Sequence, residues 1–192
     1  MPPKVTFTRD DVIDAAFNIV REEGLRDLSA RKIAEHLNSS TAPVYSYFAS
    51  MDELKLEVLG RAETMMLEYA RRPYTSSVFL NMGTGLTEFA RDNSALFHAM
   101  FLENNDSLAI INSFYRSLYD EVMKDDLVSK IPPRERKEVM RRMAIFTHGF
   151  ASMVCVGLVK DVDKKFIIKT MYDMGRDVID CAFRKHENAG EE

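Results

Sequence analysis

Residues 29–54 read Ser-Ala-Arg-Lys-Ile-Ala-Glu-His-Leu-Asn-Ser-Ser-Thr-Ala-Pro-Val-Tyr-Ser-Tyr-Phe-Ala-Ser-Met-Asp-Glu-Leu. Ala30, Ile33, Ala34 and Leu37 fall at i, i+3, i+4 and i+7, the spacing of one helix face. After the polar turn Asn38-Ser39-Ser40, a second short helix repeats the pattern with Thr41, Val44, Tyr45 and Phe48. Ser50 with Glu53 three residues later is a capping box, so a third helix begins there. Helices this short are unstable alone and must pack at once on a neighbour. The economical arrangement is a helix-turn-helix, whose second helix suits the major groove of DNA.

Working outward, the chain reads as helices throughout. Thr8 caps a helix over 9–23 with Asp10 and Asp11 at its positive end, Ile13, Ala16, Phe17 and Val20 as its buried stripe, and Gly24 as its stop. A helix over 51–71 carries Leu54, Val58, Ala62, Met65 and Met66, and ends before Pro73. Further helices are expected near 76–92, from Ser94 to about 101, over 106–124 with Leu108 and Ile111 in its stripe, from Pro132-Pro133 to about Val159, and over 163–185. No internal repeat and no strand-like alternation is present. The expected class is all-α with about nine helices, a helix-turn-helix domain over 1–50 and a larger helical domain over 51–192.

Composition narrows the function classes. The chain has 192 residues, 46% hydrophobic and 29% charged, enough apolar mass for a real core. Disorder is expected only at Met1-Pro2-Pro3 and in the polar tail from about Glu187. Cys155 and Cys181 lie in apolar helical patterns and read as small core residues of a reducing compartment. The run Met143–Val159 approaches membrane-spanning length, but Thr147, His148, Gly149 and Ser152 interrupt it, so it reads as a buried helix. Without a signal-peptide core, the expected location is the cytoplasm. Four scattered histidines (36, 98, 148 and 186) offer no metal-ligand spacing, and no phosphate loop, GxGxxG or nucleophile elbow occurs. The expectation is therefore no enzyme, no catalytic residues, no metal and no cofactor. Net charge is −4, and residues 1–50 hold six Lys/Arg against seven acids. Lys4, Arg9, Arg31 and Lys32 nonetheless stand at the arm or at helix starts, where a phosphate can reach them.

The first fifty-five residues resemble the DNA-binding domain of the TetR family of transcriptional regulators. The resemblance rests on Ala15-Ala16-Phe17, Glu23-Gly24, Arg31-Lys32-Ile33-Ala34, Val44-Tyr45-Ser46-Tyr47-Phe48 and Asp52-Glu53-Leu54, in order and at the family's spacing. Beyond residue 70 only the helical layout matches. Three departures are visible: Asn38-Ser39 stands where the family has Gly-Val, Met51 where it often has Lys, and Pro43 lies inside the recognition helix. Asn tolerates a left-handed backbone, Pro43 falls in a first turn, and Lys55 can stand in for the missing lysine.

The resemblance implies a homodimeric, ligand-responsive regulator, a repressor released from a pseudo-palindromic double-stranded operator by a small apolar or aromatic effector. It places Ser40, Thr41 and Ala42 nearest the base edges, with Ser29, Arg31, Tyr45, Tyr47 and Lys55 on phosphates. Ser40 and Thr41 equally suit plain capping, and Tyr45, being on the apolar face, is expected to pack its ring. Met66, Phe89, Phe97, Phe101, Tyr115 and His148 are the implied pocket candidates, although such stripes are also ordinary core. The last two long helices resemble the family's dimer pair, with Gly149, Ala151, Ser152 and Gly157 allowing close approach. The rival reading is an all-helical small-molecule-binding protein or enzyme that binds no DNA.

Overall fold

The computed structural model describes residues 7–103 and 108–188. Among them the chain forms ten α-helices and one 3-10 turn, with no β-strand. No helix among the described residues is long and apolar enough to cross a membrane. Two compact units share the helices: residues 1–64 with 93–111, and residues 65–92 with 112–192.

The first unit contains α1 (Arg9–Glu23), the 3-10 turn Leu25–Asp27, α2 (Ala30–His36), α3 (Ala42–Tyr47), most of α4 (Met51–Ala70) and α6 (Ser94–Phe101). Thr8 Oγ1 accepts from Asp11 N–H at 3.1 Å while Asp11 accepts from Thr8 N–H at 2.7 Å, a closed capping box that also holds the Asp11 carboxyl below its usual range. Gly24 ends α1 at φ 96°. The buried arc of α1 is wider than the expected stripe: Val12, Ala15 and Ile19 are buried as well, and Phe17 only half. The reason is that α1 is covered by α2 and α3 and also by α6. In α4, Leu54, Val58 and Ala62 are fully buried as expected. Its cap is shifted by one residue. Ser50 Oγ accepts from Glu53 N–H at 3.1 Å, but the Glu53 carboxylate takes its bond from Ala49 N–H at 2.8 Å.

The second unit holds the end of α4, α5 (Val78–Asp92), the rest of α7 (Leu108–Met123), α8 (Asp126–Lys130), α9 (Pro133–Cys155) and α10 (Lys164–Asn188). α5 packs on α9 and α10. At Gly85 it also meets the end of α4 so closely that a Cβ would stand 2.3 Å from the Tyr69 carbonyl oxygen. α8 is the helix the periodicity missed. Five residues are too few to show a period, and its signal is the cap: Asp125 Oδ1 accepts from Leu127 N–H at 2.9 Å. α9 ends at Cys155 rather than near Val159. Gly157, at φ 74°, allows Leu158 N–H to reach Met153 O (2.9 Å) and Gly157 N–H to reach Val154 O (3.1 Å), which is a Schellman stop. α10 runs on through Asn188, so Glu187 and Asn188 are helical and not part of a loose tail. Cys155 and Cys181 form no disulfide and are half-buried, shallower than core positions. Met1-Pro2-Pro3, Lys4, the last four residues and the side chains of Leu108 and Ile111 lie outside what is described.

Candidate nucleic-acid interface

The α2–turn–α3 segment is held by local bonds that its sequence dictates. Ser29 Oγ accepts from Lys32 N–H at 3.3 Å, capping α2. Asn38 adopts φ 49°, Ser39 N–H reaches Ala34 O at 2.9 Å and Asn38 N–H reaches Glu35 O at 3.2 Å. This is the same stop that Gly157 makes, here with a residue type that enters the left-handed region more readily than most. The Asn38-Ser39 departure therefore keeps the turn. Ser40 Oγ accepts from Ala42 N–H at 3.4 Å and so caps α3, whereas the Thr41 side chain makes no capping bond. Pro43 sits in the first turn, where no intrahelical donor is required.

Only Val44 and Phe48 anchor α3, at 1% and 2% exposed. Tyr45 corrects the expectation that its ring packs: it is 60% exposed. In so short a helix the buried i, i+4 pair already fills the contact, and Tyr45, about 100° further round, is turned outward. Ser40, Thr41, Ala42, Tyr45 and Tyr47 are thus all exposed and uncharged. Tyr47 is 39% exposed and its hydroxyl donates to Phe7 O at 2.8 Å.

Among the described residues, the cations expected at the phosphates, Arg9, Arg31, Lys32 and Lys55, are each engaged within the unit. Arg31, with an 87% exposed side chain, pairs with Glu35 at 2.9 Å. Lys32 lies between Asp27 (2.9 Å) and Glu23 (2.6 Å), whose carboxylates raise its pKa. Lys55 pairs with Asp52 at 2.9 Å, and Arg9 with Glu57 at 2.5 Å while covering the Phe48 ring. The Arg31–Glu35 partner was readable as an i, i+4 pair; the partners of Lys32 and Arg9 come from other elements.

The six pocket candidates divide between the units. Phe97 and Phe101 belong to the first, with ring centroids 4.7 Å apart. Met66, Phe89, Tyr115 and His148 belong to the second. There Phe89 is fully buried and meets Tyr69 edge-on at 5.7 Å. Tyr115 packs against Phe114 at 5.5 Å. Burial pushes the Tyr115 phenol up and the His148 imidazole down. An apolar groove of about 170 Å³ in the second unit, bordered by Leu80, Leu127, Tyr172 and Ile179, involves none of the six.

Of the close-approach residues, Gly149 is exposed on α9 with open space where a Cβ would stand. Ser152 is half-buried and donates to His148 O at 2.8 Å. Ala151 is fully buried inside the unit, and Gly157 lies past the helix end, so both leave the expected stripe. Large apolar side chains take their place on the open faces: Ile145, Met153 and Val156 on and beyond α9, and Phe166, Tyr172 and Phe183 on α10.

Residues 12–58 match the family described as bacterial regulatory proteins, tetR family. An HTH-type transcriptional repressor, DrrR1, of Streptomyces coeruleorubidus is 33% identical over 114 residues, covering 57% of this chain and 39% of that protein. An HTH-type transcriptional regulator of Haemophilus influenzae is 35% identical over 66 residues, 34% of this chain and 32% of its own length. The chain thus spans well under two thirds of these relatives. In fold it is similar to a tetR-family transcriptional regulator from Streptomyces coelicolor, with TM-score 0.76 and 17% identity over 95% of this chain and 85% of that one. It is similar also to the fatty acid degradation regulator FadR from Bacillus halodurans, with TM-score 0.64 and 14% identity over 92% and 97%.

Proposed function

We propose that the chain, whose residues 12–58 match the bacterial tetR regulatory family, is a member of it, a cytoplasmic, homodimeric, ligand-responsive repressor of transcription. The observation that carries the reading is the exposed face of α3, set on the buried pair Val44 and Phe48 between two Ser-capped neighbours. Residues 1–50 are the DNA-reading domain. Residues 51–192 bind the effector and the second copy.

On DNA, Thr41 and Ala42 approach base edges, where small side chains suit a thymine methyl. Ser29, Ser40, Tyr45 and Tyr47 offer hydrogen bonds to the backbone, with Arg31 and Lys55 exchanging acids for phosphates. No side chain of α3 can read a base bidentately, so part of the specificity comes from DNA shape. The effector is a small, largely apolar or aromatic molecule held in the helical domain. It acts by binding more tightly to the state that cannot engage the operator, and weakens DNA binding by that difference in affinity. The open apolar faces of α9 and α10 around Gly149 support dimerisation through these helices.

The test is titration of a duplex carrying the gene's own upstream intergenic sequence. Salt-dependent binding is expected, weakened about tenfold or more by Arg31→Ala and by Tyr47→Ala. Absent or salt-insensitive binding would instead support an all-helical small-molecule-binding protein or enzyme. In the same preparations the wild type should sediment as a dimer and Gly149→Leu as a monomer with reduced operator affinity.

A further inference from the structure

Three buried side-chain atoms have no hydrogen-bond partner among the described residues: Tyr74 Oη, Thr84 Oγ1 and Glu88 Oε1. All belong to the second unit, and Thr84 and Glu88 stand one turn apart on α5, 0% and 4% exposed. They continue a row of polar residues on one face, Ser77 just before α5 and Asn81, Thr84 and Glu88 within it, at i, i+4, i+7 and i+11. The first half of the row is satisfied. Ser77 Oγ donates to Asp125 at 3.0 Å, and Asn81 Oδ1 accepts from Thr75 N–H at 2.7 Å. The second half is not, and unpaired buried polar atoms are rare enough in folded proteins to require an account.

The neighbours of α5 fix where that second half points. On one side, Leu80 and Gly83 meet Gly175 and Met171 of α10; on the other, Gly85 meets the last turn of α4. The loop that carries Tyr74 is tied to this face of α5 through Thr75 N–H to Asn81 Oδ1, and the Lys164 ammonium at the start of α10 stands 5.1 Å from the Tyr74 ring. Arg91 Nη1 is 3.2 Å from Glu88 Oε1, an ion pair whose N–H groups are not aimed at that oxygen. Arg72 covers the Tyr69 ring at 3.5 Å and also stands beside the Tyr74 hydroxyl, where its charge opposes the upward shift of that phenol without closing a hydrogen bond. Burial, helped by the nearby Glu88 charge, pushes the Tyr74 phenol up to about 12, so it stays protonated.

We propose that the Tyr74–Thr84–Glu88 cluster is the head-group end of a small-molecule site, and that it takes a neutral group that both donates and accepts, a carboxamide or a hydroxyl. The N–H or O–H donates to Glu88 Oε1, and the ligand oxygen accepts from the Thr84 and Tyr74 hydroxyls. A cationic head would meet Arg91, Arg72 and Lys164. An anionic one would be buried against the Glu88 carboxylate with no N–H or O–H to donate to it, while Arg91 is already shared between Glu88 and Asp92. As a binding site this stands on the second unit alone; as the place where an effector acts it rests on the regulator reading above.

The experiment uses the full chain with benzamide and benzyl alcohol as probes, and benzylamine and benzoate as charged counterparts, read by calorimetry and by thermal melting. Benzamide should bind saturably and raise the melting temperature, with neither charged analogue matching it. Thr84→Val and Tyr74→Phe should each weaken benzamide about tenfold while melting no lower than wild type without ligand, since each removes an unpaired hydroxyl. Glu88→Gln should weaken it as well. Failure of both neutral probes to bind, or binding that Thr84→Val and Tyr74→Phe leave unchanged, or equal binding of benzylamine or benzoate, would overturn the assignment and leave trapped water as the occupant. Operator titration in parallel separates the two readings. DNA binding without benzamide binding removes this site and keeps the regulator, and benzamide binding without DNA binding does the reverse.

Discussion

Among the described residues, the buried side-chain atoms without a hydrogen-bond partner, Tyr74 Oη, Thr84 Oγ1 and Glu88 Oε1, all fall in the second compact unit and none in the first. In the first, Ser29, Thr8 and Ser50 each cap a helix, and Arg9, Arg31, Lys32 and Lys55 each hold a carboxylate. A partner that meets this unit must displace bonds already made. In the second, the proposed ligand supplies hydrogen bonds that Tyr74, Thr84 and Glu88 lack among the described residues. Binding at the first surface is therefore an exchange with a small net gain, and at the second an addition.

Substitutions can break or sharpen that contrast. The largest effect is expected at Gly85, where an alanine Cβ would press on the backbone of Tyr69 and Ala70 at 2.3–2.5 Å. Backbone cannot swing aside as a side chain can, so Gly85→Ala should cost about 3 kcal/mol in a denaturant or thermal melt. Gly149→Ala on the open face of α9 should not. A melt of Gly85→Ala that matches wild type would show that the α4–α5 contact is loose. The intermediate effect compares one substitution at two sites. Thr8→Val removes a capping oxygen and should destabilise by about 1 kcal/mol. Thr84→Val removes an unpaired one and should be neutral or stabilise by up to about 1 kcal/mol. If both lose stability equally, Thr84 has a partner in solution and the contrast fails. The smallest effect concerns charge. Glu35→Gln frees Arg31 from its intrahelical acid, and should tighten operator binding about threefold and steepen its salt dependence by about one ion. An unchanged slope would mean that Arg31 does not reach a phosphate.

What could be read in advance was the part governed by near neighbours in sequence. The Thr8 and Ser29 caps, the Gly24 stop, the left-handed Asn38 and the Val44–Phe48 pair follow from rules spanning three to five residues, and the structure holds them all. The Ser50–Glu53 box was legible to within one residue, its second bond going to Ala49. Features set by distant partners were hidden. Nothing near Lys32 in sequence says that Glu23 and Asp27 converge on it, and nothing near Phe17 says that α6 widens the contact of α1. Periodicity misplaced Tyr45 because it reports a face, whereas α3 is too short to bury a whole one. It carried α9 past Gly157 because Val156, Leu158 and Val159 are as apolar as the helix before them. The α5 polar row was in plain view at i, i+4 and i+7, but whether a buried hydroxyl or carboxylate finds a partner depends on packing that no pattern encodes.

The paired cations of the reading head also have a kinetic consequence. A surface on which acids match bases, in a chain of net charge −4, casts little attractive field beyond the Debye length of about 8 Å at physiological salt. A polyanion approaching it is not steered, so the two meet at the ordinary docking rate of about 10⁵–10⁷ M⁻¹s⁻¹ rather than the 10⁸–10⁹ of about the fastest charged pairs. In the proposed function, such a head finds its site by repeated unguided encounters and holds few phosphates while it searches. It responds slowly at low copy number, and the time it spends on unrelated DNA is correspondingly short.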